Sequence, residues 1–142
     1  MVFGSEVIVA RQWLCLAILA CLLIGCGKTE PPRSGGRTAS YWVEVLRKPD
    51  PDVTLRRKGA AKLGSLILLD DSALPALLGA LKDADAGVRS AAALSLGVYS
   101  GPRAKEVMPA LGEVRQQDPI AAVREAAAKA MERLTKSPPK TG

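Results

Sequence analysis

The sequence contains no histidine, and its three cysteines, Cys15, Cys21 and Cys26, all lie near the N-terminus. The lack of histidine excludes Ser-His-Asp and Cys-His catalytic groups, and it removes a ligand on which most zinc sites depend. With no thiol after residue 26, the remaining chain has neither a disulfide nor a Cys-x-x-Cys pair. These absences exclude most hydrolase and redox chemistry. The sequence therefore predicts a protein that is not an enzyme and holds no metal or cofactor.

Aromatic residues are also scarce, at 4% of the chain, and only Tyr41, Trp42 and Tyr99 follow the cysteines. Proteins that bind nucleic acids combine basic residues with stacking aromatics or with a recognition helix. We therefore expect no nucleic-acid partner. Core packing is the expected role of Trp42, whereas Tyr99 fits either the core or an interface. A length of 142 residues allows one ordinary domain.

The N-terminus carries an apolar run of signal-peptide size. Trp13 to Ile24 are twelve uncharged residues, and Arg11 precedes them. A membrane-spanning helix needs about 20 apolar residues. The run is too short for a span, so it predicts a signal peptide over residues 1–25.

The end of this run, Leu23-Ile24-Gly25-Cys26, resembles a bacterial lipobox. The resemblance implies cleavage after Gly25 and attachment of diacylglycerol and a further acyl chain, such as palmitate, to Cys26. Two or three acyl chains hold a protein stably on a membrane. In such proteins, an aspartate directly after the lipidated cysteine indicates retention in an inner membrane. Gly27 stands at that position here, so an outer membrane is favoured where the envelope has two membranes. The alternative is that Cys26 is only an apolar residue at the end of a membrane anchor that is not cleaved.

Residues 26–39 form the expected lipidated cysteine and flexible basic linker. Residues 27–39 are rich in proline, glycine, serine and threonine, a composition that buries too little apolar surface to fold. Between Lys28 and Lys58, eight Lys or Arg face four Asp or Glu. Basic residues beside an anionic membrane each add about 1 kcal/mol of adhesion. Membrane contact and a merely solvated linker are both open interpretations. Residues 137–142 are predicted to be a disordered tail.

The rest of the chain is organised by an internal repeat. An aspartate, four residues, an aliphatic residue and an arginine recur at offsets of 33 and 35 residues. A second element, Leu74-Pro75-Ala76-Leu77, returns 34 residues later as Met108-Pro109-Ala110-Leu111. A repeat of this length is typical of a helical pair in a solenoid. The Asp and Arg pairs are Asp50 and Arg56, Asp83 and Arg89, and Asp118 and Arg124.

The apolar positions within each repeat have the spacing of an α-helix. In the last repeat, apolar and charged residues form two separate stripes at intervals of three to four residues. Residues 88–98 of the middle repeat are apolar nearly all round, as in a helix covered on both sides. We therefore expect an interior middle pair and a terminal cap. The apolar stripe of the last repeat comprises Ile120, Val123, Ala127, Met131 and Leu134.

Residues from about 40 to 136 resemble HEAT repeats, especially the short, alanine-rich type of phycobilisome-lyase-like proteins. The copy from Ala73 to Gly97 fits best. The resemblance implies an all-α fold, a short α-solenoid of about three HEAT-like helical hairpins over residues 40–136. The first unit departs from the pattern, since Trp42 stands where Pro75 and Pro109 predict proline.

In HEAT-type repeats, matching aspartates and arginines hold the turn and bridge adjacent repeats in a ladder. The resemblance implies this structural role here, and an aspartate can also cap a helix start. The alternative is a row of acids and bases for catalysis or ligand binding. The ladder positions are Asp50, Arg56, Asp83, Arg89, Asp118 and Arg124.

The predicted function is that of a lipid-anchored, non-catalytic protein interaction module in a bacterial cell envelope. Its unidentified protein partner is expected on the concave surface built by the second helices, which begin near Asp52, Asp85 and Pro119. The contacting side chains are not specified by the sequence. One alternative is a lyase-like protein, or a lyase chaperone, acting on a tetrapyrrole such as a bilin. Another is a structural spacer or self-associating envelope protein.

Overall fold

The computed structural model describes residues 30–48, 52–100 and 103–136. The predicted signal peptide, Cys26, the ladder residue Asp50 and the tail 137–142 lie outside these residues. The helices and strands described here all lie within one compact unit, Pro31–Gly142.

The described residues form six helices in three consecutive hairpins, preceded by two very short strands. This confirms the predicted all-α, solenoid-like fold, and we call the hairpins repeats 1, 2 and 3. The second helix of each hairpin packs against the second helix of the next, so the three second helices form a continuous inner layer. The elements are β1 (Arg33–Ser34), β2 (Arg37–Thr38), α1 (Ala39–Arg47), α2 (Val53–Gly64), α3 (Ala73–Ala80), α4 (Ala86–Leu96), α5 (Ala104–Gln117) and α6 (Ala121–Lys136).

The core lies between the two layers of helices and consists mainly of aliphatic side chains, together with Trp42 and Tyr99. Leucines and valines from every repeat are fully enclosed, which makes burial of apolar surface the main stabilising contribution. The middle helix α4 contributes residues that pack on both neighbours, as its nearly uniform apolar sequence predicts. The largest fully buried side chains are Leu63, Leu66, Leu77, Leu96, Leu111, Val88, Val107 and Val123.

Two aspartates fix where second helices begin. The Oδ1 atom of Asp52 accepts a hydrogen bond from the Thr54 N–H at 2.8 Å. At the start of α4, Asp85 Oδ1 accepts from the Val88 N–H at 2.9 Å. Such caps satisfy N–H groups that have no partner within the helix. The bond from Val88 is also the main reason that the pKa of the Asp85 carboxyl is lowered.

Glycines let the second helices approach one another closely. A Cβ atom on Gly64 would lie 2.5 Å from Ser95 Oγ, and one on Gly97 would lie 2.7 Å from the Ala130 Cα. At the first contact, the buried Ser95 hydroxyl donates to the carbonyl of Ala60 at 3.0 Å. Any larger residue at either glycine would push adjacent repeats apart.

The N-terminal end of the stack is covered by a β-hairpin. Strands β1 and β2 pair antiparallel, and Gly35 and Gly36 at the turn have φ of 59° and 75°, a region that favours glycine. The Trp42 indole N–H donates to the Ser34 carbonyl at 3.0 Å. The hydroxyls of Ser34 and Ser65 lie 2.7 Å apart, which ties the hairpin to the end of α2.

The sequence predicted a flexible linker over 27–39, and residues 33–38 differ from that expectation. Polar, glycine-containing segments become ordered when neighbouring structure supplies hydrogen bonds, and Trp42 supplies one here. The guanidinium of Arg37 also lies 4.8 Å from the centre of the Tyr41 ring, a cation–π contact. Trp42 itself is 3% exposed, in agreement with its expected place in the core.

No helix among the described residues is both long enough and apolar enough to cross a bilayer.

Candidate functional site

Four of the ladder residues that the structure describes lie at the junctions between repeats. Arg56 of α2 binds Asp83 of the next repeat through two parallel hydrogen bonds. Its Nε atom lies 2.9 Å from Oδ2 and its Nη2 atom lies 3.1 Å from Oδ1. The two side chains are only 11% and 12% exposed. This is the bidentate geometry that makes arginine and carboxylate pairs strong and directional.

The same arrangement recurs one repeat later between Arg89 and Asp118. Arg89 Nε lies 2.7 Å from Asp118 Oδ2, and Nη2 lies 3.1 Å from Oδ1. Arg89 Nη1 also donates to the carbonyls of Asp83 and Ala84 at 2.8 Å and 3.0 Å. One guanidinium thus closes the turn of its own repeat and bridges to the following repeat.

This pairing shifts the ionisation of both partners. Hydrogen bonding to Asp118 raises the pKa of the Arg89 guanidinium. The bonds from Arg89 lower the pKa of the Asp118 carboxyl, which the Ile120 N–H lowers further. The pair is therefore fully ionised at neutral pH.

The aspartates have a second structural task in the turns. Asp83 Oδ1 also accepts from the Asp85 N–H, and Asp118 Oδ1 accepts from the Ile120 N–H, each at 2.9 Å. Both oxygens of each carboxylate are thus engaged by the protein itself. A general base or ligand-binding carboxylate needs a free acceptor, so this geometry favours the ladder role over the catalytic alternative.

Arg124 is placed differently, because it belongs to the last repeat. Its Nη1 atom donates to the carbonyls of Asp118 and Pro119 at 2.7 Å and 3.2 Å, as Arg89 does in its own turn. Within the described ranges, no carboxylate lies within ion-pair distance of Arg124. The described part of the ladder therefore contains two cross-repeat pairs.

Acidic groups elsewhere in the described chain do not form a metal site. Residues 30–48, 52–100 and 103–136 contain no cluster of three or more His, Cys, Asp or Glu side chains placed to hold a metal ion. Asp70, in the adjacent carboxylate pair Asp70-Asp71, accepts from the Ser72 N–H at 3.0 Å and so stabilises the turn before α3.

One candidate binding surface lies on the inner layer of second helices. A groove of about 500 Å³ runs between α2 and α4. Its floor is built from small and aliphatic side chains, and Leu94 and Val98 are 37% and 49% exposed there. Exposed aliphatic residues that line one groove mark an interaction surface more often than scattered ones do. The groove is lined by Ala61, Gly64, Ser65, Ala91, Leu94, Ser95 and Val98.

The floor on α4 can be compared with α2 and α6 through the positions that are equivalent in the three repeats. The stripe on α4 that contains Leu94 is apolar, whereas the equivalent stripes on α2 and α6 carry basic residues. This pattern is present in the sequence, but it becomes visible only when the three repeats are aligned helix by helix. The equivalent positions are Lys58, Ala91 and Ala126, then Ala61, Leu94 and Lys129, then Ser65, Val98 and Arg133.

The sequence predicts a partner surface across the second helices, which begin near Asp52, Asp85 and Pro119, and the groove lies between two of these helices. In the structure, Asp52 and Asp85 cap their helices, and the groove lies toward the C-terminal halves of α2 and α4.

Comparison with protein families gives one match. The profile for HEAT repeats matches residues 39–132, about two thirds of the chain, and these residues include all six described helices apart from the end of α6. A comparison with curated proteins finds no match. The three stacked hairpins, the close approach of their second helices and this profile match agree, and the chain belongs to the HEAT-repeat family.

Proposed function

We propose that this protein is a lipid-anchored, non-catalytic interaction module of a bacterial cell envelope. HEAT repeats generally mediate protein–protein interaction. The observation that carries the proposal is the inner groove, where Leu94 and Val98 remain exposed on a rigid helical surface. Burial of these side chains by a partner would release the free energy that their exposure costs.

The chemistry of the ladder supports binding in preference to catalysis. The charged groups at the repeat junctions are occupied with one another and with the turns. The groove, by contrast, offers apolar side chains together with the small residues Gly64 and Ser95. A surface of this kind recognises shape and apolar area, as interface cores do.

The proposed anchor rests on the sequence of the leader. Leu23-Ile24-Gly25-Cys26 resembles a lipobox, and acyl chains on Cys26 would hold the repeats beside the bilayer. Tethering raises the effective concentration of the module toward partners in the same membrane. The lipid and the groove would therefore act together on a membrane-associated partner.

In-cell crosslinking of the tagged full-length protein tests both parts of this proposal. We expect one dominant partner to co-purify from the membrane fraction and to be lost in Leu94→Glu, which places a charge on the floor of the groove. Leu69→Glu is the matched control, because Leu69 is 66% exposed and lies outside the groove. Unchanged crosslinks in Leu94→Glu, or crosslinks to the protein itself alone, would contradict the interaction role of the groove.

Cys26→Ser tests the anchor separately. We expect this variant to leave the membrane fraction and to lose the mass of the acyl chains. A variant that stays membrane-bound and keeps its full leader mass would show that Cys26 closes an uncleaved anchor.

A further inference from the structure

The inner face of the second helices has an apolar floor and basic margins. Leu94 and Val98 on α4 form the floor. On α2, Lys58 lies in the same helical stripe as Ala61, since it is three residues before it. On α6, Arg133 occupies the position that Val98 has on α4, 35 residues earlier. The floor is thus bordered by positive charge on both sides.

These basic side chains are not neutralised within the stack. The contacts of the described residues include no carboxylate within ion-pair distance of Lys58 or Arg133. Lys129, also on α6, pairs with Glu125 at 2.7 Å along its own helix. Among the described residues, Lys58 and Arg133 thus remain without an ion-pair partner at the margins of the floor.

We propose that the groove binds an acidic amphipathic helix of a partner protein, an inference that rests on the proposed interaction function. The apolar positions on such a helix recur every three to four residues, as Ala91, Leu94 and Val98 do on α4. Its apolar stripe packs on the floor, as in other helix-in-groove interactions. Carboxylates on its flanks meet Lys58 and Arg133.

Charge complementarity favours this occupant over two others. A second copy seated on the same face would bring Lys58 and Arg133 against like charges, which is unfavourable in a partly desolvated interface. A nucleic acid would require stacking aromatics, and the groove is lined by none.

Binding of labelled helical peptides to the detergent-solubilised full-length protein tests the inference. The first peptide is acidic, with leucines at i, i+3, i+4 and i+7 and glutamates on both flanks. The second replaces each glutamate with lysine, and the third keeps the acidic composition but scrambles the leucine positions. Fluorescence anisotropy at low and at physiological salt measures the dissociation constants.

We expect the acidic amphipathic peptide to bind at least about ten-fold more tightly than either control peptide, with weaker binding at higher salt. Leu94→Glu should lower its affinity at least about ten-fold, and Lys58→Glu with Arg133→Glu should reverse the preference toward the basic peptide. Leu69→Glu, again the matched control, should leave all three constants unchanged. Thermal unfolding of each variant identifies any loss that comes from misfolding.

Equal binding of the acidic and basic peptides would overturn the inference. So would equal binding of the amphipathic and scrambled peptides. If that happens while Leu94→Glu still removes the partner in cells, the proposed function stands and only the chemistry of the partner is wrong. Loss of neither interaction in Leu94→Glu would contradict both.

Discussion

The junction between repeats 2 and 3 and the outer face of repeat 3 use equivalent positions in opposite ways. At the junction, Gly97 lets α6 approach so closely that a Cβ would lie 2.7 Å from the Ala130 Cα. On the outer face, the equivalent residue 35 positions later is the exposed Glu132, which pairs with Lys136. The same position of the repeat thus allows a close helix contact where it holds glycine, and forms an exposed polar surface where it holds glutamate.

The ladder arginines show the same contrast. Arg89 is 12% exposed and bound to a carboxylate that is 5% exposed, whereas Arg124 keeps only the bonds within its own turn. The N-terminal end of the stack is closed differently, by the β-hairpin that Trp42 and Ser65 hold in place. A polar outer face is typical of terminal solenoid repeats, and the described outer face of repeat 3 is of this kind, whereas repeat 1 is covered by the hairpin.

The largest effect on stability is expected when side-chain volume is added at the junction between repeats 2 and 3. Gly97→Val should lower the free energy of unfolding by about 3 kcal/mol, because the new side chain meets the backbone of α6. Glu132→Val, at the equivalent exposed position, should change it by less than about 0.5 kcal/mol. Urea unfolding followed by circular dichroism measures both. Similar losses in the two variants would show that repeat 3 is not the end of the stack.

Removing the two arginines compares a paired with an unpaired ladder position. Arg89→Ala should cost about 3 kcal/mol, since it leaves the nearly buried Asp118 without its countercharge. Arg124→Ala removes only bonds to two carbonyls and should cost about 1 kcal/mol. The same urea titrations measure the difference. If Arg89→Ala left stability unchanged but abolished partner binding, the ladder role would be wrong.

Acid titration tests whether the ion pair of Arg89 and Asp118 stabilises the fold. The pKa of Asp118 is lowered in the folded state, chiefly by Arg89, from an ordinary value of 3.8. Its contribution to stability is therefore present above that value and is lost as the pH falls through the lower folded pKa. Unfolding free energies measured from pH 6 to pH 3 should fall more steeply in the wild type than in Asp118→Asn. Some slope should remain in the variant, because the pKa of Asp85 is lowered too.

The smallest expected effect concerns the hydroxyl between repeats 1 and 2. Ser95→Ala removes the buried bond to the Ala60 carbonyl and should lower the unfolding free energy by about 1 kcal/mol. Thr135→Ala removes a similar bond, from the hydroxyl to the Glu132 carbonyl, at an exposed site of α6. Its loss should be less than about 0.5 kcal/mol, since water replaces the partner. Equal losses would place Ser95 outside the interior of the stack.

The interior of the fold was predictable because its signals are local. Apolar spacing placed Val88 and Leu96 on a covered helix, and both are fully buried. Tyr99 is buried, at 6% exposure. The sequence does not decide between a core and an interface role for it, because a single aromatic at a helix end carries no periodic signal. The ordered hairpin at residues 33–38 was missed, since the groups that stabilise it, Trp42 and Ser65, are distant in sequence.

The sequence by itself determined the period, the three helical hairpins, the positions of the ladder residues and the resemblance of the leader to a lipobox. Tertiary structure alone decided that Arg56 reaches Asp83 of the next repeat, and that Leu94 and Val98 line a groove between α2 and α4. The physical reason is that a helix is encoded by its own residues. Contacts across a stack depend on how closely neighbouring helices approach, and that distance is set here by small residues such as Gly64 and Gly97.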